Sequence, residues 1–355
     1  AAAVRSGWLT SAGKVEEFEK AFAKEVGGKH AVAVNSCTAA LHLALIGLGV
    51  GPGDSVITSP ITFASAVNVI EHVGARPVFC DVLPGCLTLD APNLLHYIGK
   101  DTKAIIATHF AGHPADMRNL DFISKKTGIP VVTDAAHAIE TRYHGRSSGK
   151  LGRVACYSFY ATKNITTGEG GMLVTDDGKV ADRARILRLH GMTKDAWNRY
   201  GPHGYKHWDI VEPGWKYNMS DIQAALGISQ LGDLEAWHGK RMILMTAYRN
   251  YLPKPIRIVE SLDDDITSAY HLCVVRVPKR DEVMVKMQKN GVGIGVHFRA
   301  VHRLKYYQEK YKLPEGSLPV AEQASDEVLS LPLYPSMETS DVYRVIKALE
   351  EAVHG

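Results

Sequence analysis

The chain has 355 residues, of which 45% are apolar and 22% are charged, and its formal net charge is +3. This composition is typical of a globular protein, and the length predicts one large domain with a smaller one. The charge is too small to favour nucleic acid or an anionic membrane as a partner, and no apolar stretch reaches transmembrane length.

The cysteines are few and scattered. They are Cys37, Cys80, Cys86, Cys156 and Cys273. Their spacing contains no CxxC pair, so it indicates neither a disulfide framework nor a thiolate zinc site. We therefore expect reduced thiols in a cytoplasmic protein.

Short apolar runs rich in β-branched residues alternate with segments of helical period over the first 240 residues. The predicted strands are 31–35, 55–59, 76–82, 103–109, 130–133, 154–160 and 171–175. Predicted helices between them include 38–48, 64–73 and 117–127, each with apolar residues three or four apart. This alternation predicts an α/β fold, a mostly parallel sheet with helices on both faces.

A second, smaller unit follows a long predicted helix over residues 220–251. Its predicted strands are 270–277 and 293–297, and its predicted helices are 281–289 and 339–353. We therefore divide the chain into a large α/β domain, residues 1–240, and a small C-terminal α+β domain, residues 241–355.

A strand ends and a helix begins near Thr38, in the run Asn35-Ser-Cys-Thr-Ala-Ala40. Free backbone amides and the positive end of the helix dipole make such a start a good phosphate site. Capping of the helix by Ser36 or Thr38 explains the same residues without a ligand. This feature alone does not decide between the two.

Asp134 follows a predicted buried strand, and His137 comes three residues later. A buried aspartate stays ionised only opposite a cationic or hydrogen-bonding partner, and a protonated pyridine nitrogen is such a partner. Asp134 could instead cap a helix, or bind a metal together with His137 and His109. The metal alternative lacks a compact third-ligand motif and leaves Lys163 unexplained.

Lys163 follows the predicted strand 154–160 and precedes small, hydroxyl-bearing and glycine residues. A solvated lysine at a strand end is the ordinary alternative. Ser158 could supply a hydroxyl to a phosphate, and Phe63 could stack on a flat ring, although most phenylalanines are core residues. A phosphate anchor, a carboxylate and a lysine at strand ends are together what pyridoxal phosphate requires.

The chain resembles a known family along essentially its whole length. The motifs that carry the resemblance are Ser6-Gly-Trp-Leu-Thr10, Asn35-Ser-Cys-Thr-Ala-Ala40, Gly51-Pro-Gly-Asp54, Asp134-Ala-Ala-His137, the run 158–171, and Gly214-Trp-Lys-Tyr-Asn-Met-Ser-Asp-Ile-Gln223. They are similar to those of the DegT/DnrJ/StrS nucleotide-sugar aminotransferases. The resemblance implies the fold type I of pyridoxal phosphate-dependent transferases, which is aspartate aminotransferase-like.

The resemblance also implies a role for each matching residue. Lys163 would form the Schiff base with pyridoxal phosphate and move the proton, and Asp134 would hold the pyridine nitrogen. The other implied cofactor contacts are Thr38, Ala39 and Ser158 at the phosphate, His137 and Phe63 at the ring, and Asn218 from the partner of a homodimer. No metal is implied. Cys37 stands where many relatives have glycine, and its amide can serve equally well.

Within the family, the stretch 295–302 and Tyr306-Tyr307 are most similar to aminotransferases that make UDP-4-amino-4-deoxy-L-arabinose. We expect L-glutamate as the amino donor and a nucleotide-linked 4-ketosugar as the acceptor, in lipopolysaccharide or other envelope glycan synthesis. The residues expected to contact the substrate are Trp8, Arg188, His297 and Arg299. A different nucleotide ketosugar, or a non-catalytic regulatory protein that binds the cofactor, remain alternatives.

Overall fold

The computed structural model describes residues 2–193, 208–261 and 263–354. The α-helices of this part of the chain are α1 (Ala2–Arg5), α2 (Gly13–Val26), α3 (Cys37–Gly47), α4 (Ser65–His72), α5 (Met117–Thr127), α6 (Gly178–Leu187), α7 (Asp221–Leu231), α8 (Leu234–Tyr251), α9 (Arg280–Lys289), α10 (Lys305–Tyr311), α11 (Pro319–Glu327) and α12 (Thr339–His354). None of these helices is both long enough and apolar enough to cross a bilayer.

The strands are β1 (His30–Val34), β2 (Ser55–Thr58), β3 (Arg76–Phe79), β4 (Thr102–Thr108), β5 (Val131–Asp134), β6 (Arg142–Tyr143), β7 (Arg146–Ser147), β8 (Val154–Ser158), β9 (Gly171–Thr175), β10 (Ile266–Thr267), β11 (Cys273–Arg276) and β12 (Val328–Leu331). Short 3₁₀ turns lie at Ala91–Tyr97, Phe110–Gly112, Ser148–Lys150 and Val301–Arg303.

Seven strands form the central sheet in the order β1-β9-β8-β5-β4-β2-β3. Strands β3, β2, β4, β5 and β8 pair in parallel, whereas β9 pairs antiparallel with both β1 and β8. These seven strands overlap the seven that the sequence predicts in this region. The mixed, mostly parallel sheet is therefore confirmed.

Helices cover both faces of the sheet, as the alternation of buried residues along β1 shows. Val32 and Val34 belong to a core cluster with α3 and α6, whereas Ala31 and Ala33 pack with Phe18 of α2. Successive residues of a strand point to opposite faces, so a strand buried on both sides reads as an unbroken apolar run. That is why β-branched runs, rather than alternating ones, mark this sheet.

Helix α2 illustrates how local sequence sets an element. Val15, Phe18, Phe22 and Val26 are spaced three or four apart and are all buried. The helix ends at Gly27, whose φ of 76° is the left-handed conformation that glycine adopts without steric cost. Phe18, Phe22, Tyr157 and Phe159 then pack as an aromatic cluster with ring centroids about 5 to 6 Å apart.

The C-terminal part has a core of its own around the antiparallel pair β11 and β12. Helix α8 joins this part to the first, because Leu234 packs in the core beneath the central sheet and Leu244 in the C-terminal core. Two predictions are wrong here. The helix predicted over 220–251 is two helices separated at Gly232 and Asp233, and residues 293–297 form only a bridge between Gly295 and Ser330.

Candidate active site

A cavity of about 490 Å³ opens at the carboxyl ends of β5 and β8. Parallel strands carry their carboxyl ends to the same edge, where ligands of α/β sheets bind. Of the predicted site residues, the ones that line this cavity are Thr38, Phe63, Asp134, His137, Ser158, Lys163 and His297. Residues separated by more than 250 positions therefore meet in one place.

Lys163 lies in the loop that joins β8 to β9, with its amide donating to the carbonyl of Tyr160 (2.9 Å). Burial lowers the pKa of its amine, and the negative charges of Asp134 and Cys37 oppose that shift. A lower pKa leaves more of the amine neutral, which is the form that attacks a carbonyl or accepts a proton. The site therefore favours the reactive form of Lys163.

Asp134 is the last residue of β5 and is 5% exposed. Its Oδ1 accepts the amide of Ala136 (3.1 Å) and faces Cys37 Sγ at 3.7 Å. Burial raises the pKa of Asp134, while the Ala136 hydrogen bond and the charge of Lys163 lower it. A cation placed against this carboxylate would stabilise its charged form, so the cavity offers a place for a protonated ring nitrogen.

Helix α3 begins beside the cavity at Cys37, and its N-terminus is a candidate phosphate anchor. Ser36 caps the helix by accepting the amide of Ala39 (3.1 Å). In the described part of the chain, the amides of Cys37 and Thr38 donate no hydrogen bond. The cap therefore occupies the Ala39 amide and leaves the amides of Cys37 and Thr38 as the open donors, while the phosphate contacts expected of Thr38 and Ala39 stay predictions.

Gly171, the first residue of β9, lets this helix start approach the sheet. A Cβ atom at this position would lie 2.4 Å from the carbonyl carbon of Ser36 and 2.6 Å from the amide nitrogen of Cys37. Only a residue without a side chain fits. On the same side, the cavity-lining Ser158 accepts the amide of Tyr160 (3.3 Å) through its hydroxyl oxygen.

Imidazoles form another wall near Lys163. Burial lowers the pKa of His137, with a further contribution from Lys163, and lowers that of His297 to about 4. Both rings are therefore neutral at pH 7. His137 Nδ1 is buried without a hydrogen-bond partner in the described residues, whereas His297 Nδ1 lies 2.8 Å from Ser330 Oγ. A polar ligand group beside His137 would satisfy the open nitrogen.

Phe63 and Phe298 lie at the mouth of the cavity, with ring centroids 6.1 Å apart. Phe63 is 63% exposed, which is unusual for a phenylalanine with only a packing role. An exposed aromatic ring that lines the cavity could stack on a flat ligand ring, which is the role predicted for Phe63.

Five of the residues expected to bind substrate or cofactor do not line this cavity in the chain described: Trp8, Ala39, Arg188, Asn218 and Arg299. Trp8 is 60% exposed and Arg299 is exposed. Asn218 donates from Nδ2 to Ser11 Oγ (2.7 Å), and its Oδ1 is buried without a partner in the described residues. Their assigned contacts remain predictions.

Arg188 is buried beside a second cavity of about 400 Å³, which is lined by residues of α2, β1 and α6. Its Nη1 donates to the carbonyl of Ala33 (2.8 Å) and pairs with Glu19. The Arg188 guanidinium thus takes part in a buried ion pair beside a cavity other than the one that holds Lys163, and its expected substrate contact stays a prediction.

The metal alternative gains no support. Among the described residues, the one group of His, Cys, Asp or Glu side chains close enough to share an ion is the surface cluster of His144, Asp263 and Asp265. His109 instead accepts the amide of Ala115 at Nδ1 (3.1 Å). Asp134, His137 and His109 thus do not form a metal site.

Sequence reasoning missed a series of hydrogen-bonded polar side chains behind His137. Its members are Glu140, Asn164, Arg241 and His271. Asn164 follows Lys163 directly, and that adjacency is the one signal in the sequence that could have drawn attention to it. No motif in the neighbouring sequence indicates a role for Glu140, Arg241 or His271.

Comparison with known proteins gives concordant matches. The sequence profile of the DegT/DnrJ/EryC1/StrS aminotransferase family matches residues 1–350. The spore coat polysaccharide biosynthesis protein SpsC of Bacillus subtilis (strain 168) is 45% identical over 360 residues, which cover 99% of this chain and 92% of SpsC.

Solved structures agree in fold over the whole chain. DesV of S. venezuelae, in complex with a ketimine intermediate, is 34% identical with a TM-score of 0.92, and the match covers 100% of this chain and 93% of DesV. The putative sugar aminotransferase Spr1654 of Streptococcus pneumoniae, in its PMP form, is 30% identical with a TM-score of 0.93, covering 99% and 95% of the two chains. The predicted fold class is confirmed.

Proposed function

Because this chain belongs to the DegT/DnrJ/EryC1/StrS aminotransferase family, we propose that it transfers the amino group of L-glutamate to a nucleotide-linked 4-ketosugar. It is a pyridoxal phosphate-dependent sugar aminotransferase. The observation that carries the proposal is one cavity in which the Lys163 amine, the Asp134 carboxylate and the open amides of Cys37 and Thr38 converge.

The residues present fit the cofactor. The N-terminus of α3, with the Ser158 hydroxyl beside it, is a site for the phosphate, and the carboxylate of Asp134 is a partner for the ring nitrogen. The unpaired Nδ1 of His137 would hydrogen-bond the ring's polar substituent. When bound, pyridoxal phosphate supplies an electron sink that makes the proton next to the substrate nitrogen acidic.

Lys163 then acts as the general acid and base. Its amine takes a proton from one carbon and returns it to another, and burial lowers its pKa, which favours the neutral form that accepts the proton. The neutral imidazoles of His137 and His297 add no competing positive charge near the amine. The same residues would serve both halves of the reaction, first with glutamate and then with the ketosugar.

Our preferred acceptor is the UDP-4-keto-pentose that yields UDP-4-amino-4-deoxy-L-arabinose. It rests on the sequence similarity over residues 295–302 and on the aromatic mouth formed by Phe63 and Phe298. Another nucleotide ketosugar, aminated at C3 or C4, is the alternative. A non-catalytic cofactor-binding protein is disfavoured, since such a protein has no need of a buried lysine amine at this position.

The proposal includes a homodimer with each site completed by its partner. Helix α7 packs on the loop 166–170, through Gln230 and Gln223, and leaves Ile222 and Leu226 exposed. Glu169 and Gly170 of that loop line the cavity. An isologous partner on this apolar face would cover the open side of the cavity, with Asn218 as the candidate cross-subunit contact.

We place the reaction in the cytoplasm, where the five buried free cysteines would stay reduced, and its product in lipopolysaccharide or other envelope glycan synthesis.

The proposal is tested by incubating the enzyme with glutamate and a panel of UDP-, GDP- and dTDP-linked ketosugars, and reading the products by mass. Amination of the UDP-4-keto-pentose in preference to ketohexoses is the expected result. Preference for another sugar would overturn the substrate assignment alone. Absence of 2-oxoglutarate formation with every acceptor, from protein that holds the cofactor, would overturn the aminotransferase assignment.

A further inference from the structure

His271 lies directly behind the cavity wall. Its ring centroid is 4.4 Å from that of His137, and the two rings are inclined by 31°. His137 lines the cavity, whereas His271 does not and is 8% exposed. Burial, with a contribution from Lys163, lowers the pKa of His271 well below its usual range, so the ring is neutral. His271 therefore packs behind His137 and supports its ring.

The Asn164 side chain fixes which nitrogen of His271 carries the proton. Asn164 faces Glu140 Oε2 at 2.7 Å and the carbonyl of Ala269 at 3.3 Å, and both of these groups only accept hydrogen bonds. The amide nitrogen of Asn164 must point toward them, which turns its Oδ1 toward His271 Nδ1 at 2.8 Å. Since Oδ1 accepts, His271 must donate from Nδ1.

Glu140 is in turn held by Arg241 of α8. The side chains of this pair are 7% and 3% exposed, and Arg241 Nε also donates to the carbonyl of Ala269 (3.2 Å). The carboxylate cannot rotate freely without leaving a buried charge unpaired. A fixed chain of contacts thus runs from Arg241 through Glu140 and Asn164 to His271.

We propose that Asn164 is a positioning residue, which locks His271 as the neutral Nδ1-protonated tautomer and so holds the ring of His137 against the cofactor. The same contacts anchor the backbone immediately after Lys163, because Asn164 is the next residue. This inference rests on the proposed function for the identity of the ligand, but the tautomer itself is a property of the protein without cofactor.

The test combines histidine-selective ¹⁵N NMR with cofactor binding. Cofactor-free protein labelled at histidine is compared with the Asn164→Ala and Asn119→Ala variants, and a His271→Gln variant assigns the resonance. Asn119 is the matched control, because its Nδ2 also donates to a carboxylate, that of Asp116 (2.7 Å), but both of these residues lie at the start of α5 rather than beside His271. Dissociation constants for pyridoxal phosphate are measured on the same proteins.

We expect His271 of the wild-type protein to be protonated at Nδ1 alone at pH 7. Asn164→Ala should release this preference and weaken cofactor binding about tenfold, the scale of one buried hydrogen bond. Asn119→Ala should change neither readout.

A wild-type His271 protonated at Nε2, or an Asn164→Ala protein with an unchanged tautomer and unchanged affinity, would overturn the inference. Failure of the wild-type protein to bind the cofactor would instead overturn the proposed function. The tautomer of His271 would still be tested, because it is measured on cofactor-free protein.

Discussion

Replacing Arg241 by methionine should strongly destabilise the protein. The substitution removes the cation and leaves Glu140 buried, with the amide of Asn164 still donating to its Oε2 (2.7 Å). Breaking a buried ion pair from one side costs about 3–5 kcal/mol. With 355 residues at roughly 2.1 cal/mol/K each, the unfolding entropy is about 0.75 kcal/mol/K, so we expect the midpoint to fall by about 4–7 °C.

The assay is differential scanning calorimetry, with both proteins in the same cofactor state. Arg249→Met is the matched control, since Arg249 lies on the same helix and its ion pair with Glu260 is partly exposed. Exposed pairs contribute up to about 1 kcal/mol, so its midpoint should fall by about 1 °C. Equal losses in the two variants would refute the reasoning.

The stability lost in the Arg241→Met variant should also depend on pH. Burial already raises the pKa of Glu140, and Arg241 opposes that rise. Without Arg241, the folded-state pKa of Glu140 stands further above its unfolded value. The penalty is then present at neutral pH, where the carboxyl must be charged, and is relieved as pH falls and the folded carboxyl takes up a proton.

A double variant, Glu140→Gln with Arg241→Met, should recover most of the stability at pH 7. A deficit that stays constant from pH 8 to pH 5 would contradict this account.

Three further outcomes follow from the structure. Lys163→Ala should keep its melting temperature but lose turnover by about 100- to 10,000-fold or more, because it loses the general acid and base; a wild-type rate would remove Lys163 from its role. Gly171→Ala should weaken cofactor binding about tenfold, because its Cβ would displace the start of α3 at Cys37, whereas Gly232→Ala, with no atom within 4 Å of the added Cβ, should not. Phe18→Ala should lower the free energy of unfolding by about 3–5 kcal/mol in urea titration, because Phe18 is fully buried; a loss below about 1 kcal/mol would show that the aromatic cluster relaxes around the gap.

The sheet and its two chemical groups were predictable because both depend on local pattern and on topology. Apolar runs marked the strands, and residues at the ends of neighbouring parallel strands must lie close together, as Asp134 and Lys163 do. The break between α7 and α8 was missed because the residues on either side of Gly232 continue a helical pattern. Strand β12 was missed because its pairing with β11 is specified by a distant partner.

The sequence did not predict the buried polar pairs either, because their partners are also distant along the chain. Arg188 was expected to contact substrate, but its partner Glu19 lies 169 residues away and has no local mark. His271 lies 107 residues from Asn164, and only the folded chain shows that their side chains meet. The sequence therefore predicts the role of a charged or imidazole side chain when that residue follows a strand. It does not predict the partner of such a side chain when tertiary packing brings the two together.

The loop that carries Lys163 connects β8 and β9, two adjacent strands of the central sheet, whereas Phe63, His297 and Phe298 come from segments without regular strand pairing. The amine is thus held by a loop that is fixed at both ends to the central sheet, and the mouth of the cavity is formed by loop segments, which tolerate replacement more readily than strands do. Divergence at the mouth can therefore change which ketone is accepted in a descendant of this enzyme while the chemistry of its nitrogen transfer is inherited intact.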